Sequence, residues 1–106
     1  MRVLFDQGTP APLREFLSPH SISTAYERGW STLKNGELLQ AAEAAGFTVF
    51  VTTDTNLKYQ QNLGVRRIAI VVLGTTSWPR IRMAAERVGL AIDSAAAGSF
   101  IEVPIP

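Results

Sequence analysis

The sequence predicts a three-layer α/β/α fold built around a mainly parallel five-stranded sheet. Two apolar runs, residues 47–52 and 68–73, are rich in β-branched and aromatic side chains and are typical of strands buried on both faces. Segments with helical spacing of apolar residues alternate with strand-like runs over the whole chain. That alternation favours α/β layers, and right-handed crossovers most simply give the strands the order 2-1-3-4-5.

The composition indicates one domain, residues 1–106, with enough apolar residues for a core. The hydrophobic fraction is 46%, and the low charged fraction of 18% favours a surface partly covered by a partner, most simply in a homodimer. A formal net charge of +1 gives no overall attraction to nucleic acid, so a basic site must be local. Cysteine is absent, and neither a signal peptide nor a membrane span is found, so we expect a cytoplasmic protein with no membrane partner.

The first half of the chain is predicted to contain two short strands and one helix. Residues 3–5 form an apolar strand, and Thr9 as N-cap with a proline at the next position predicts the start of the helix. Residues 21–25 are typical of a short edge strand. Residues 26–34 show no clear period and are predicted to be loop.

The second half begins with a helix that we expect Asn35 to cap and Gly46 to terminate. The strand at residues 47–52 follows at once. The further elements predicted in order are a helix at 56–63, a strand at 68–73, one continuous helix from about residue 77 to about residue 97, and a strand at 100–103.

Three acidic residues are expected at one edge of this sheet. Asp6 and Asp54 each come just after a buried strand, and neighbouring parallel strands end at the same edge. Glu37 lies in the first turn of a helix that begins at that edge because its preceding strand ends there. Asn56, at another helix start, adds a neutral oxygen.

Grouped carboxylates are unfavourable unless a cation neutralises them, and oxygen-only ligands suit Mg²⁺ or Mn²⁺. Such an ion keeps several waters, one of which can act as a nucleophile, while phosphate oxygens complete its shell. The sequence therefore predicts a phosphodiester substrate. Four basic side chains in loops or first turns are expected to hold the polyanion: Lys34, Lys58, Arg28 and Arg80.

These residues resemble the PIN-like domain, and in particular its short bacterial branch related to the toxin ribonucleases of toxin–antitoxin pairs. The matching positions are Asp6 after the first strand, Glu37 in Asn-Gly-Glu-Leu-Leu, and Asp54 in Val-Thr-Thr-Asp-Thr-Asn-Leu. The resemblance extends from Arg2 to the strand at Phe100 and implies a Rossmann-like fold. It also implies an Mg²⁺- or Mn²⁺-dependent endoribonuclease that acts on RNA, often forms dimers, and has a small antitoxin protein as partner.

The resemblance also suggests roles for individual residues. Asp6 and Asp54 would ligate the metal, and Glu37 would hold a metal-bound water or a second ion. Asn56, Gln7 and Thr75 would orient these ligands. Gln7 stands where the branch usually has asparagine, and Asn56 where it commonly has a second acid. The fourth acid of the wider family would fall near Thr75, where this chain has only hydroxyl groups.

Several of these residues also have purely structural interpretations. Asp6 can cap the turn that follows it, Asn56 can cap a helix, and an acid such as Glu37 is favourable at any helix N-terminus. Trp30 and Trp78 fit edge packing or a dimer contact better than a base-stacking platform. The single histidine, at position 20, is expected to be solvated, and Thr75 is expected to belong to the N-terminal turn of the last helix.

Two other functions compete with the ribonuclease. A PIN-like domain with weakened catalysis would act as a protein- or RNA-binding module, and its signature would be the missing fourth acid. A phospho-receiver domain would share the strand order and an aspartate after strand 3. It would also require a pair of acids after strand 1 and a lysine after the last strand, whereas this chain has Asp6 alone and no lysine after residue 100.

Overall fold

The computed structural model describes residues 1–57 and 66–106, and these form a five-stranded parallel sheet with helices on both faces. The order of the strands is β2-β1-β3-β4-β5 and every neighbouring pair is parallel, as the sequence predicts. In chain order they are β1 (Arg2–Phe5), β2 (Ser21–Thr24), β3 (Val49–Thr52), β4 (Ala69–Leu73) and β5 (Phe100–Val103).

The helices divide into two layers. A 3-10 helix (Ala11–Phe16), α2 (Trp78–Met83) and α3 (Ala85–Asp93) pack on one face of the sheet, and α1 (Asn35–Ala44) packs on the other. Successive side chains of a strand point to opposite faces of the sheet. Val3 and Phe5 therefore join the core under the 3-10 helix, α2 and α3, and Leu4 joins the core under α1. Every residue of β3 and β4 is buried, which explains their continuous apolar sequence.

The predicted continuous last helix is wrong, because the chain forms two helices separated at Ala84. The Ala84 N–H donates to the Ile81 carbonyl (3.0 Å) in a tight turn, with φ −106° and ψ 13°. The buried residues Ile81, Ala85, Val88 and Ile92 keep helical spacing across this turn and share one core. Their pattern therefore could not reveal the break, which lets both helices pack against the 3-10 helix. The second helix also ends earlier than predicted, at Asp93.

Two predicted helix caps are also wrong. The helix after β1 is a 3-10 helix that begins at Ala11, with Pro10 before it, and the Thr9 hydroxyl bonds elsewhere. Asn35 is the first residue of α1 rather than its cap, which is Lys34. The predicted helix at 56–63 lies mostly outside the described residues. Within residues 1–57 and 66–106, no helix has the length and apolar character needed to cross a lipid bilayer.

Candidate active site

Asp6 lies at the carboxyl end of β1, beside β3. This is the point in the sheet where the order of the strands reverses direction. Its Oδ1 accepts hydrogen bonds from the Thr9 backbone N–H (3.0 Å) and the Thr9 hydroxyl (2.6 Å). Its Oδ2 accepts one from the Thr52 hydroxyl (2.5 Å). Both oxygens are therefore held in fixed positions.

Asp54 lies two residues beyond the end of β3 and is held next to Asp6. The Thr52 hydroxyl, which donates to Asp6, also accepts a hydrogen bond from the Asp54 backbone N–H (3.0 Å). The Asp54 Oδ1 accepts from the Asn56 N–H (2.9 Å) and its Oδ2 from the Asn35 side-chain amide (2.9 Å). Thus β1, β3 and the start of α1 together position two carboxylates.

The electrostatics of this pair disfavour two negative charges. Burial raises the pKa of Asp6 above its ordinary value of 3.8; hydrogen bonds from Thr52 and Thr9 oppose that rise, and the charge of Asp54 adds to it. In residues 1–57 and 66–106, no lysine, arginine or histidine forms an ion pair with either carboxylate. A cation that binds between them would therefore relieve an unfavourable interaction.

Glu37 is exposed, and its carboxylate accepts a hydrogen bond from the Lys34 backbone N–H (3.2 Å) at the start of its own helix. This matches the structural interpretation of an acid in a first turn. No group of three or more acidic or histidine side chains that could hold a metal ion occurs in the described part of the chain. The structure thus brings together two of the three predicted acids, Asp6 and Asp54.

The residues expected to orient the ligands make different contacts. Asn56 contributes its backbone N–H to Asp54, and its side chain is exposed. Gln7 donates its side-chain amide to the Ser31 carbonyl (2.9 Å), which ties the turn after β1 to the loop before α1. The Thr75 hydroxyl accepts from the Ser77 N–H (3.1 Å) just before α2.

The basic residues expected to hold RNA are spread over the molecule. Lys34 is exposed and directly precedes Asn35, whose side-chain amide contacts Asp54. The Arg28 guanidinium packs over the ring of Trp30 (4.9 Å to the ring centroid). The Arg80 guanidinium donates to the carbonyls of residues 105 and 106 (3.1 and 2.8 Å). Lys58 lies outside the described residues.

The two tryptophans and the histidine also make tertiary contacts. Trp30 is packed edge-on against Phe47 (6.1 Å between ring centroids), and Trp78 packs against Phe16 (5.9 Å). His20 is largely buried, contrary to the expectation of a solvated side chain; its exposed fraction is 9% and its Nε2 lies 2.5 Å from the Asp93 carboxylate. His20 precedes the amino end of β2, at the edge of the sheet opposite the acids.

Among the described residues, three that contact the two carboxylates escape sequence reasoning: Thr9, Thr52 and Asn35. Thr52 and Thr9 are buried polar residues. The Thr52 hydroxyl connects Asp6 to the loop after β3, and the Thr9 hydroxyl connects Asp6 to the turn after β1. A threonine at the end of a strand is ordinarily assigned to β-propensity, and Asn35 to helix capping. The one available signal was the polar run Thr52-Thr53-Asp54 directly after buried strand residues.

Gly8 allows the turn after β1 to approach the loop after β3. A Cβ atom at this position would lie 2.4 Å from the Thr53 hydroxyl oxygen, so either this side chain or the loop has to move. We therefore expect Gly8→Ala to lower the free energy of unfolding by about 1–3 kcal/mol in urea denaturation. Gly74→Ala is the matched control because its Cβ would meet no atom within 4 Å. Equal stability of the two variants would contradict the close approach.

Comparison with known protein families, with curated proteins and with solved structures found no match. The resemblance to the PIN-like domain therefore depends on Asp6, Glu37 and Asp54 in their sequence motifs. It stays a prediction, and the function has to be argued from the site.

Proposed function

We propose that this protein is a metal-dependent ribonuclease in which Asp6 and Asp54 hold an Mg²⁺ or Mn²⁺ ion. The observation that carries the proposal is the pair of carboxylates at the carboxyl ends of two central strands. The Thr52 hydroxyl donates to the Asp6 carboxylate and accepts from the Asp54 backbone N–H, which keeps the two residues side by side. They lie at the edge of an open parallel sheet where ligands bind. RNA as the substrate, a small antitoxin partner and a homodimer are the further parts of the proposal, and they come from the resemblance.

The residues present fit a hard divalent cation. Mg²⁺ is usually bound through one or two carboxylates and keeps several waters, so Asp6 and Asp54 provide a sufficient set of protein ligands. The donors are all oxygens, and the raised pKa of Asp6, caused mainly by burial, indicates that a negative charge on this carboxylate is unfavourable without a cation. When bound, such an ion polarises a phosphoryl oxygen and lowers the pKa of a bound water.

The surrounding residues of the chain would supply orientation and charge. Thr9 and Thr52 fix the Asp6 carboxylate, and the Asn35 amide fixes that of Asp54. Such contacts keep metal ligands in place and are worth about 10- to 100-fold in affinity or activity in other metal sites. The ammonium of Lys34, beside Asn35, would attract the phosphate backbone.

A test compares cleavage of single-stranded RNA in Mn²⁺ by the wild type and by Asp54→Asn. We expect the substitution to reduce cleavage about 100-fold or more, and EDTA to abolish cleavage by the wild type. Asp93→Asn is the matched control, because Asp93 pairs with His20 at the opposite edge of the sheet and its replacement should leave cleavage unchanged. Undiminished activity of Asp54→Asn, or activity that survives EDTA, would show that the proposed mechanism is wrong.

The second candidate is a PIN-like module that binds protein or RNA with little catalysis. The position of Glu37 favours it, because its carboxylate bonds to the start of its own helix and no third acid joins the pair in the described residues. In the same assay this candidate gives RNA binding without cleavage that depends on Mn²⁺. A co-purifying small protein without RNA affinity would support the protein-binding form.

A further inference from the structure

A cleft of about 640 Å³ opens beside Asp6 and extends over the carboxyl end of β2. One wall comes from the turn after β1 and the start of the 3-10 helix, and the other comes from the turn after β2, which carries Tyr26 and Glu27. The strand register places these walls side by side, because Phe5 pairs with Thr24 and the Ala25 N–H bonds to the Phe5 carbonyl (2.8 Å). The cleft is thus continuous with the carboxylate pair.

Tyr26 is the aromatic residue of this cleft, and its exposed fraction is 79%. In the described part of the chain no other ring packs against it, and its hydroxyl has no hydrogen-bond partner. Both tryptophans, in contrast, pack against phenylalanine rings. Tyr26 therefore offers an exposed aromatic face in the cleft that Asp6 also lines, and such faces are the usual platforms for bases of single-stranded nucleic acid.

The charges at the cleft favour a neutral occupant. The Arg14 guanidinium donates to the Glu27 carboxylate (2.8 Å), which also accepts from the Thr24 N–H (2.9 Å). The hydrogen bond from Arg14 is the main reason that the pKa of Glu27 falls to about 2, so the two side chains form a neutral ion pair at pH 7. Among the described residues that line the cleft, the remaining charged group is Asp6, which repels phosphate in the absence of a cation.

We propose that this cleft is a nucleobase subsite, in which a base of single-stranded RNA that flanks the scissile phosphate stacks on Tyr26. The proposal rests on the ribonuclease function, since it assumes that the phosphate lies at Asp6 and Asp54. A base has an apolar face for the tyrosine ring and polar edges for the side chains of the walls. It carries no charge, so it does not compete with the Arg14–Glu27 pair.

The first part of the experiment measures RNA affinity by fluorescence anisotropy in the Asp54→Asn background, which removes cleavage and keeps the cleft. Tyr26→Ala should weaken binding of a single-stranded oligonucleotide about 5- to 150-fold, the range for loss of one stacked base. Tyr26→Phe should bind within about twofold of the parent because it keeps the ring. Met83→Ala, a change at a residue with an exposed fraction of 92%, is the control for an exposed apolar side chain elsewhere.

The second part identifies the base. The oligonucleotide is given an abasic residue at each position in turn, and affinity is measured with Tyr26 and with Tyr26→Ala. At one position the two losses should not add, because they remove the same stacking contact. Additive losses at every position, an unchanged affinity of Tyr26→Ala, or no RNA binding at all would overturn the subsite. An unchanged affinity together with loss of a co-purifying protein would assign Tyr26 to a protein contact instead.

The two proposals fail in different ways. If Tyr26→Ala weakens binding but the wild type does not cleave RNA in Mn²⁺, Tyr26 is a base-stacking residue of an RNA-binding protein and the ribonuclease proposal fails. If the wild type cleaves and Tyr26→Ala changes neither affinity nor KM, the ribonuclease stands and the subsite fails. Because Tyr26 is exposed, its replacement should leave the melting temperature unchanged, which separates a loss of binding from a loss of fold.

Discussion

Asp6→Asn is expected to abolish RNA cleavage and, in the metal-free protein at neutral pH, to leave the fold as stable as the wild type or more stable. Under the proposed function, cleavage would be lost because asparagine replaces the charged carboxylate that would hold the metal by a neutral amide. Stability is kept because burial raises the pKa of Asp6. The charge of Asp54 also raises this pKa, whereas the hydrogen bonds from Thr52 and Thr9 lower it without cancelling the rise. Ionised Asp6 is therefore less favourable in the folded protein than in the unfolded chain.

The sign of the pH dependence follows from that raised pKa. The unfolded chain loses the Asp6 proton near the ordinary value of 3.8, whereas the folded protein keeps it to a higher pH. Between these two values the folded state binds more protons, so the contribution of Asp6 to stability falls as the pH rises through this window and stays low above it. The amide of the Asp6→Asn variant cannot titrate, so the difference between the variant and the wild type should grow over the same window.

Urea denaturation of Asp6→Asn and the wild type in EDTA, from pH 3 to pH 8, measures this difference. Glu15→Gln, a change at an exposed carboxylate on the 3-10 helix, controls for the general loss of one negative charge. A large fall in the free energy of unfolding of Asp6→Asn at pH 7 would mean that the hydrogen bonds from Thr9 and Thr52 outweigh the cost of the buried charge. Asp6 would then be a structural residue, and the loss of activity in the Asp6→Asn variant would not be evidence for a metal.

The strands and the residues at which they end could be predicted because each strand has a pattern that is visible in its own short stretch of sequence. The runs before Asp6 and Asp54 are apolar on both faces, and an abrupt change to polar residues marks the edge of the sheet. A parallel sheet with short crossovers then leaves few possible orders. The two acids meet because β1 and β3 are neighbours, which is a property of the topology rather than of either motif.

The finer arrangement of the site depends on choices that the sequence leaves open. Asn35 could cap α1 or contact a distant residue, and only the position of the loop after β3 brings Asp54 within 2.9 Å of its amide. Glu37 could face the site or its own helix end, and the hydrogen bond from the Lys34 N–H satisfies it locally. Arg28 lies in a segment without periodicity, so nothing in the sequence indicated that its guanidinium would pack over Trp30.

Glu43→Ala is expected to be the most destabilising substitution considered for this protein, with a loss of about 3 kcal/mol in the free energy of unfolding. Glu43 is in α1, and its carboxylate binds the chain just before β4. It accepts hydrogen bonds from the Arg66 guanidinium (3.0 Å) and from the backbone N–H groups of Arg67 (2.7 Å) and Ile68 (3.3 Å). Alanine would leave all three donors without this acceptor, and the Arg66 side chain is only 20% exposed.

The pH dependence of this contact has the opposite sign to that of Asp6. Burial raises the pKa of Glu43, but the hydrogen bonds from the Arg67 and Ile68 N–H groups and from Arg66 outweigh it, and the pKa falls below its ordinary value of 4.5. The stabilisation is therefore complete above 4.5 and is lost as the pH falls through the lower pKa of the folded state. Glutamine does not titrate, so Glu43→Gln should lose less free energy of unfolding between pH 7 and pH 3 than the wild type.

Urea denaturation at pH 7 and pH 3 of the wild type, Glu43→Ala and Glu43→Gln measures both effects. Glutamine keeps one oxygen acceptor, so its loss of stability at pH 7 should lie between those of the wild type and the alanine variant. Glu86→Gln, a change at an exposed residue in the first turn of α3, is the control. If Glu43→Ala unfolds at the same urea concentration as the wild type, the contact between Glu43 and the residues just before β4 does not hold α1 in place on the sheet. The position of Asn35, at the other end of α1, would then need another support, because that helix carries the amide that fixes Asp54.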